Sequence, residues 1–287
     1  MEQAALSGAL IFEVGSDVVH PNHGAGTIVQ VERKRIGDHS QRYYVIDIPS
    51  KAMRVMVPVE RAEDTGLREI RSRRRLRQIF AEVLADANAE DIEDDHARRF
   101  EVYTEMLKEG RFRQVVRVVT WLCMLRDRKR LGMRDMTLYD HGRHLLAGEV
   151  ALAEGISEAD ALTEVDVELE QMARRTRLLD ALACGHDELD IDDLLEKRER
   201  RRSTWSRTVA QGDVEQLART AVELTIVSRL LTLNDSETEL LHAARTALLS
   251  EACDVLGLSH QEASARVDGF CRRCAMSTIA AHGGRPS

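Results

Sequence analysis

Aromatic side chains make up only 4% of this 287-residue chain. A core, if there is one, must therefore be packed with leucine, valine and alanine, which the 43% apolar content allows. No stretch reaches the roughly 18 apolar residues of a membrane span, and the start has no basic flank leading into an apolar segment of the secretory kind. The expectation is a cytoplasmic protein with no membrane segment. Cysteines number five, an odd count that fits reduced thiols better than a disulfide framework. Chemistry-bearing motifs are scarce too: there is no phosphate-binding glycine loop, no nucleophile elbow and no HExxH. Cys271-x-x-Cys274 stands alone, and zinc would need two further ligands, for which only Cys253 and His282 offer themselves. We expect an unmetallated helix face there and a protein that is not an enzyme and carries no cofactor; a metal-dependent or thiol-redox protein built on that pair is the rival.

What is present is most distinctive near the start. Val14, Val18 and Val19, then Thr27 to Val31, Tyr43 to Ile48 and Val55 to Val59, are β-branched or aromatic runs. They are separated by His23-Gly24-Ala25-Gly26, Ile36-Gly37-Asp38 and Pro49-Ser50, which suit turns. Four or five short strands should result, with Gly24 and Gly26 where the backbone leaves the ordinary β region. Pro58 belongs at an edge or a strand end, because proline cannot donate to a ladder.

From Arg71 onward the period changes to that of helices. Leu76, Ile79, Phe80, Val83 and Leu84 form one amphipathic stripe, followed by an acidic piece from Asp86 to Asp95. Phe100, Tyr103, Met106 and Leu107 mark a second helix stopping at Gly110; a third spans about 111–130 and a fourth about 135–154, stopping at Gly155. Two more are expected, Glu164 to Cys184 and Asp187 to Arg202. An ungapped offset of 102 residues then repeats the pattern: Gly110, Gln114, Leu122, Arg143, Glu149 and Gly155 recur as Gly212, Gln216, Leu224, Arg245, Glu251 and Gly257. Asp135 recurs as Glu237. Helix stops and core leucines in register indicate a duplicated helical domain, and the paired recurrence of Arg143 with Glu149 points to structural roles for both.

The net charge of −8 hides a blocky distribution. Arg71, Arg73, Arg74, Arg75 and Arg77 form a basic knot; residues 96–150 carry 12 Lys/Arg against 7 Asp/Glu, whereas 151–196 carry 14 acidic and 3 basic side chains. A second basic knot follows at Lys197 to Arg202. The average charge therefore says little about any one face.

Read in order, Phe12-x-Val14-Gly15, Val18-Val19-x-Pro21-x-His23-Gly24, Tyr43-Tyr44-x-Ile46, Met56-Val57-Pro58-Val59 and Gly66-Leu67-Arg68 resemble the polymerase-interacting domain of the CarD/CdnL family of bacterial transcription factors, shared with transcription-repair coupling factor. Lys108-Glu109-Gly110 and Leu146-x-Gly148-Glu149-x-Ala151-Leu152-Ala153-Glu154 resemble its helical domain, so the similarity covers roughly residues 12–165. The resemblance implies a small Tudor/SH3-like β-barrel at 10–70 and a CarD-type helical domain at 71–165, and with the repeat the expectation is an α+β chain that continues through a helical linker at 166–202 into a second helical domain at 203–281. It also implies a monomer that docks by strand-edge pairing on the RNA polymerase β subunit, with Lys34, Ile36, Arg54 and Met56 at that edge. Promoter DNA at the upstream edge of the bubble would be met by His96, Arg98, Arg99, Lys129 and Arg130, and the open complex stabilised. His96 occupies the position where the family carries a tryptophan that wedges into the minor groove, a departure that puts wedging in doubt while leaving phosphate contact. In the repeat, Ser203-Thr204-Trp205-Ser206-Arg207 is similar to the family's wedge phrase, but strict alignment sets Trp205 opposite Tyr103. It is either a displaced wedge or a packed tryptophan. Trp121, flanked by Val118, Val119 and Leu122, reads as a packing residue. Loss of the indole at 96 and the net charge of −8 favour the alternative of a polymerase-bound adaptor whose helical domains bind another protein.

Overall fold

A computed structural model describes residues 11–36, 39–183, 189–212 and 214–283. The expected Gly37-Asp38 turn, Cys184 and the Asp187 helix start lie outside the described residues. The chain divides into two compact units, Met1–Glu170 and Gln171–Ser287.

The first unit opens with five strands, β1 Asp17–His20, β2 Gly24–Ile36, β3 His39–Ile48, β4 Met53–Pro58 and β5 Arg68–Glu69, in one antiparallel sheet of order β4-β3-β2-β1-β5. Tyr44, Ile46 and Ile48 alternate along β3 and are fully buried with Val18, Ile28 and Val57, as the two-residue period of a strand requires. The Tyr44 hydroxyl accepts the backbone N–H groups of Ile11 and Phe12 at 3.0 and 3.1 Å, tying the chain start to this core. A register shift between Ile28 and Gln30 leaves Val29 40% exposed and lets the 13-residue β2 bend. The two turn glycines prove to have different reasons. Gly24 has φ +94°, whereas a β-carbon on Gly26 would collide with the Asp47 carbonyl.

Helices α1 Arg73–Ala85, α2 His96–Lys108, α3 Phe112–Arg128 and α4 Met133–Glu154 follow, and α5 Glu158–Ala183 closes the first unit with its earlier turns. α3 is buried along most of its length, with Val115, Val116, Val118, Val119 and Leu122 at its centre. The sheet docks on this layer through a short list of contacts. Arg68 forks onto the Glu149 carboxylate with two 2.7 Å bonds and also donates to the Gly110 carbonyl at 2.9 Å. Gly110 ends α2 at φ +63°, where a β-carbon would come within 2.8 Å of the Pro21 backbone. Beside this joint, His20 and His23 have ring centroids 4.6 Å apart. Burial, then His23 and Lys51, push His20 down to about 4, and His23 and His141 of α4 are lowered mainly by burial.

The second unit contains α6 Ile191–Glu196, α7 Arg198–Gln211, α8 Val214–Leu230, α9 Asp235–Leu256 and α10 His260–Gly283. The starts of α2, α3, α4 and α5 (96, 112, 133, 158) and of α7, α8, α9 and α10 (198, 214, 235, 260) differ by 102 residues at every pair. Burial keeps the same register: Leu122 and Leu224, Leu146 and Leu248, Ala161 and Ala263 are all within 1% of full burial. Leu178 and Leu182, on the last turns of α5, enter the second core 102 residues after Leu76 and Phe80 of α1. That is why the units divide at 170/171 and not after the linker expected to end at 202: the end of α5 takes the structural place of α1. Arg143 bonds Asp166 and Arg245 bonds Asp268, again 102 residues on. Glu251, the counterpart of Glu149, is held by Arg174 at 2.8 and 3.1 Å. Arg143 and Glu149 thus have structural partners, though not each other.

Candidate functional site

Two exposed features of the first unit collect the residues singled out from the sequence. One is the sheet edge. β4 pairs with β3 only, so among the described residues its outer side has no strand partner, while the opposite edge, β5, is two residues long and anchored through Arg68. An edge strand offers a row of backbone donors and acceptors to any extended segment. Arg54, 69% exposed, reaches Asp47 at 3.2 Å on one end of β4. Met56 is half-buried, and the Lys34 ammonium from β2 lies 3.0 Å from its sulfur and 3.7 Å from Glu32. Lys34, Arg54 and Met56 therefore flank a usable edge; Ile36 is the last residue of β2, and its side chain lies outside what is described.

The second feature is a tip where the start of α2 meets the α3–α4 turn. Asp95 caps α2 by accepting the Arg98 N–H at 2.7 Å. His96, half-exposed, sits 3.7 Å from Asp135, and its imidazole nitrogen would be 3.3 Å from a β-carbon on Gly132. This brings His96 against the turn that carries Lys129 and Arg130, both exposed. Arg98, 73% exposed, bonds Glu93 at 3.1 Å. Arg134 is exposed and lies 5.3 Å over the Phe100 ring. Met133, between them, is 88% exposed. Sequence reading passed over Met133 and Arg134 because an apolar residue and an arginine at a helix start are unremarkable until the turn is placed in space.

Two expected DNA contacts are corrected by burial. Arg99 is 2% exposed; its guanidinium is taken by Asp135 at 2.7 Å and by the carbonyls of Glu93 and Asp94 at 2.8 and 3.2 Å. It fastens the loop before α2 to the start of α4, and Arg98, one residue earlier and about 100° around the helix, keeps the solvent side. Trp205 is 1% exposed, and its indole N–H donates to Glu223 at 2.6 Å; Arg201 and Arg219 meet the other carboxylate oxygen at 3.0 and 3.2 Å. It is the packed tryptophan of the two readings. In the first unit the equivalent pair is Tyr103 stacked on Trp121 at 5.4 Å.

The corresponding tip of the second unit has a different chemistry. Where the first has Arg128, Lys129, Arg130, Met133 and Arg134, the second has Leu230, Leu231, Thr232, Asp235 and Ser236. Leu230 and Leu231 are 39% and 46% exposed. Arg198, at the position of His96, is bound to Glu237 and to the Thr232 carbonyl, and Glu237 with Asn234 makes a capping box. The Arg198 guanidinium holds the Glu237 carboxyl below the usual range.

Among the described residues no cluster of three or more His, Cys, Asp or Glu is placed to hold a metal. The Cys271 thiol is buried, and burial pushes it up to about 11, the opposite of a reactive cysteine. No described helix is long and apolar enough to cross a membrane.

The first unit thus combines an open-edged sheet, seated on a helical layer, with an exposed cationic tip. Its kin are specific. Residues 12–71 match the CarD-like/TRCF RID domain and residues 80–166 match the CarD C-terminal domain, so this part of the chain belongs to the CarD-like family. It is also similar to a protein of Bacillus subtilis (strain 168) named "Putative transcription factor YdeB", 26% identical over 151 residues that cover 52% of this chain and 95% of that protein.

Proposed function

We propose that the protein is a regulator of transcription that binds RNA polymerase through the β4 edge and promoter DNA through the tip of the first helical domain. The observation that carries this reading is that both CarD-like modules occur in one compact unit, one with an unpaired β4 edge among the described residues and the other with an exposed basic tip. Strand addition at β4 supplies backbone hydrogen bonds to the polymerase β subunit, with Lys34, Arg54 and Met56, and Ile36 by position, setting specificity. His96, Arg98, Lys129 and Arg130, joined by Arg134, supply sequence-independent attraction to phosphates at the upstream edge of the bubble. Met133 provides an apolar contact beside them, smaller than an indole. A modest preference for melted over closed DNA is sufficient for regulation, since about 1.4 kcal/mol shifts the equilibrium tenfold. No bond is made or broken in this scheme.

Binding of the full chain to purified β subunit, with Lys34→Glu plus Arg54→Glu as the comparison, tests the first half. Loss of binding in the double variant is expected; unchanged binding removes the edge from the reading. Salt-dependent binding to a promoter fork in the presence of polymerase tests the second half. Its absence leaves the adaptor reading, in which the helical units hold another protein, and which the exposed leucines at the tip of the second unit favour.

A further inference from the structure

Helix α7 of the second unit turns one polar stripe to solvent. Arg200, Thr204, Arg207 and Gln211 follow one another at i, i+4, i+7 and i+11, and all four are exposed. The other side of the helix is taken up by the core: Arg201 and Trp205 both reach the Glu223 carboxylate, and Arg198 binds Glu237. The one carboxylate of α7, Glu199, lies off the stripe and 3.8 Å from Arg202. Among the described residues no carboxylate pairs with Arg200 or Arg207. Two guanidinium groups thus stand about 10 Å apart along one face with their hydrogen-bonding capacity unused.

The first unit shows that the framework does not demand this. At the same places, 102 residues earlier, α2 and its end carry Arg98, Val102, Glu105 and Glu109, one cation against two carboxylates. Each of those charges has a partner: Arg98 meets Glu93 at 3.1 Å, Glu105 meets Lys108 at 3.6 Å and Glu109 meets Arg111 at 3.6 Å. Core-facing positions repeat in kind, Arg99 with Arg201 and Tyr103 with Trp205. The outward stripe has exchanged both acids, for an arginine and a glutamine.

Guanidinium, hydroxyl and amide groups are those that hold phosphate oxygens, and about 10 Å spans about three phosphates of one strand at 3.4 Å each along the axis. Residues 171–287 contain two aromatic side chains, Trp205 and Phe270, and both are 1% exposed. The unit therefore offers no ring on which unpaired bases could stack. Nor does the stripe offer the apolar anchor on which a protein partner would depend. We propose that the α7 stripe binds the phosphate backbone of double-stranded DNA without regard to sequence, as a contact of the second unit distinct from the tip of the first. The phosphate chemistry stands on the stripe alone; the choice of DNA over an RNA duplex rests on the transcriptional reading above.

The test measures binding of the full chain to a labelled DNA duplex of about 20 base pairs, two helical turns, across a salt series and without polymerase. Arg200→Ala with Arg207→Ala should weaken binding about tenfold and lower the slope of log affinity against log salt by about 2, with no change in melting temperature. Arg200→Lys with Arg207→Lys should retain most of the slope. Arg207→Glu, which copies Glu105 of the first unit, should weaken binding more than Arg207→Ala. Arg272→Ala with Arg273→Ala removes two exposed arginines from α10 of the same unit and should alter the slope less; an equal loss there shows that net charge alone is at work and overturns the proposal. So does an unchanged slope in the Arg200/Arg207 variant, or tighter binding of an RNA duplex of the same length. Lys129→Ala with Arg130→Ala in the same assay keeps the two DNA contacts apart. If that variant alone loses affinity, the tip stands and the α7 stripe falls; if the Arg200/Arg207 variant alone loses it, the stripe stands and the tip falls.

Discussion

The two helical units share a framework and differ at their tips. In the first, the turn between α3 and α4 carries exposed Lys129 and Arg130 with Met133 and Arg134 just beyond it; in the second, the same turn presents leucines, and Arg198 of the neighbouring α7 is bound to Glu237. Framework residues repeat because the core demands them. Tip residues do not touch the core and are free to diverge. The comparison teaches that a repeated helical framework need not repeat its surface chemistry, and that exposure, more than residue type, separates framework from tip.

The sharpest way to break the comparison is to remove the buried polar pairs that hold each unit. Trp205→Ala should cost about 3–5 kcal/mol by opening a cavity and leaving the Glu223 carboxylate without its indole partner, while fork-DNA binding at temperatures where the protein stays folded is unchanged. Chemical denaturation and salt titration read the two effects separately; a selective loss of DNA affinity would restore Trp205 as a contact. Arg99→Ala should cost about 3–5 kcal/mol, because Asp135 is left buried and uncompensated, and the matched change Arg98→Ala should cost well under 1.

Next in size is the DNA term. Lys129→Ala with Arg130→Ala should lower the slope of log affinity against log salt by about 2 with no change in melting temperature, whereas Leu231→Ala with Thr232→Ala should leave it unaltered. Fluorescence anisotropy with a promoter fork across a salt series decides.

Acid separates the units more gently. Folding disfavours the charged forms of His20, His23 and His141, so below their free value of about 6.5 the unfolded chain binds more protons than the folded one. Stability from this cluster is complete above that pH and is lost as pH falls toward the His20 value of about 4, by an amount on the order of 2 kcal/mol. The Glu237–Arg198 pair of the second unit works in a lower window: its contribution is present above the usual carboxylate value of 4.5 and is lost only as pH falls below it. Each unit contains one of the two tryptophans, Trp121 or Trp205, so Trp→Phe variants report each unit alone. Denaturant midpoints measured between pH 7 and 5 should fall for the Trp121 signal and hold for the Trp205 signal.

Much of this architecture was legible in the chain. Alternating Tyr44, Ile46 and Ile48 and the turn residues around them describe a sheet without further help, and Gly110, Gly155, Gly212 and Gly257 stop helices where left-handed backbone is found. Register at 102 residues was visible because core leucines and stop glycines are both local signals. The sites were less legible. Arg98 and Arg99 are neighbours of identical chemistry, and the choice between solvent and core depends on Asp135, 36 residues away. Trp205 carried a usable sign, since ungapped alignment set it opposite Tyr103, a residue whose buried role needs only helical periodicity to suspect. The Arg68–Glu149 fork, spanning 81 residues, left no local trace at all.

Gly110 and Gly212 close equivalent helices with nearly the same φ, +63° and +72°, but a β-carbon at 110 would strike Pro21, whereas among the described residues nothing lies within 4 Å of one at 212. An added side chain at 212 meets backbone strain of about 1 kcal/mol. At 110 it meets that strain and the Pro21 backbone together, and the sheet must back away from the helices that it sits on. The close seating of the sheet on the first helical layer thus depends on an absent carbon atom, and the repeat, among the described residues, has no such dependence.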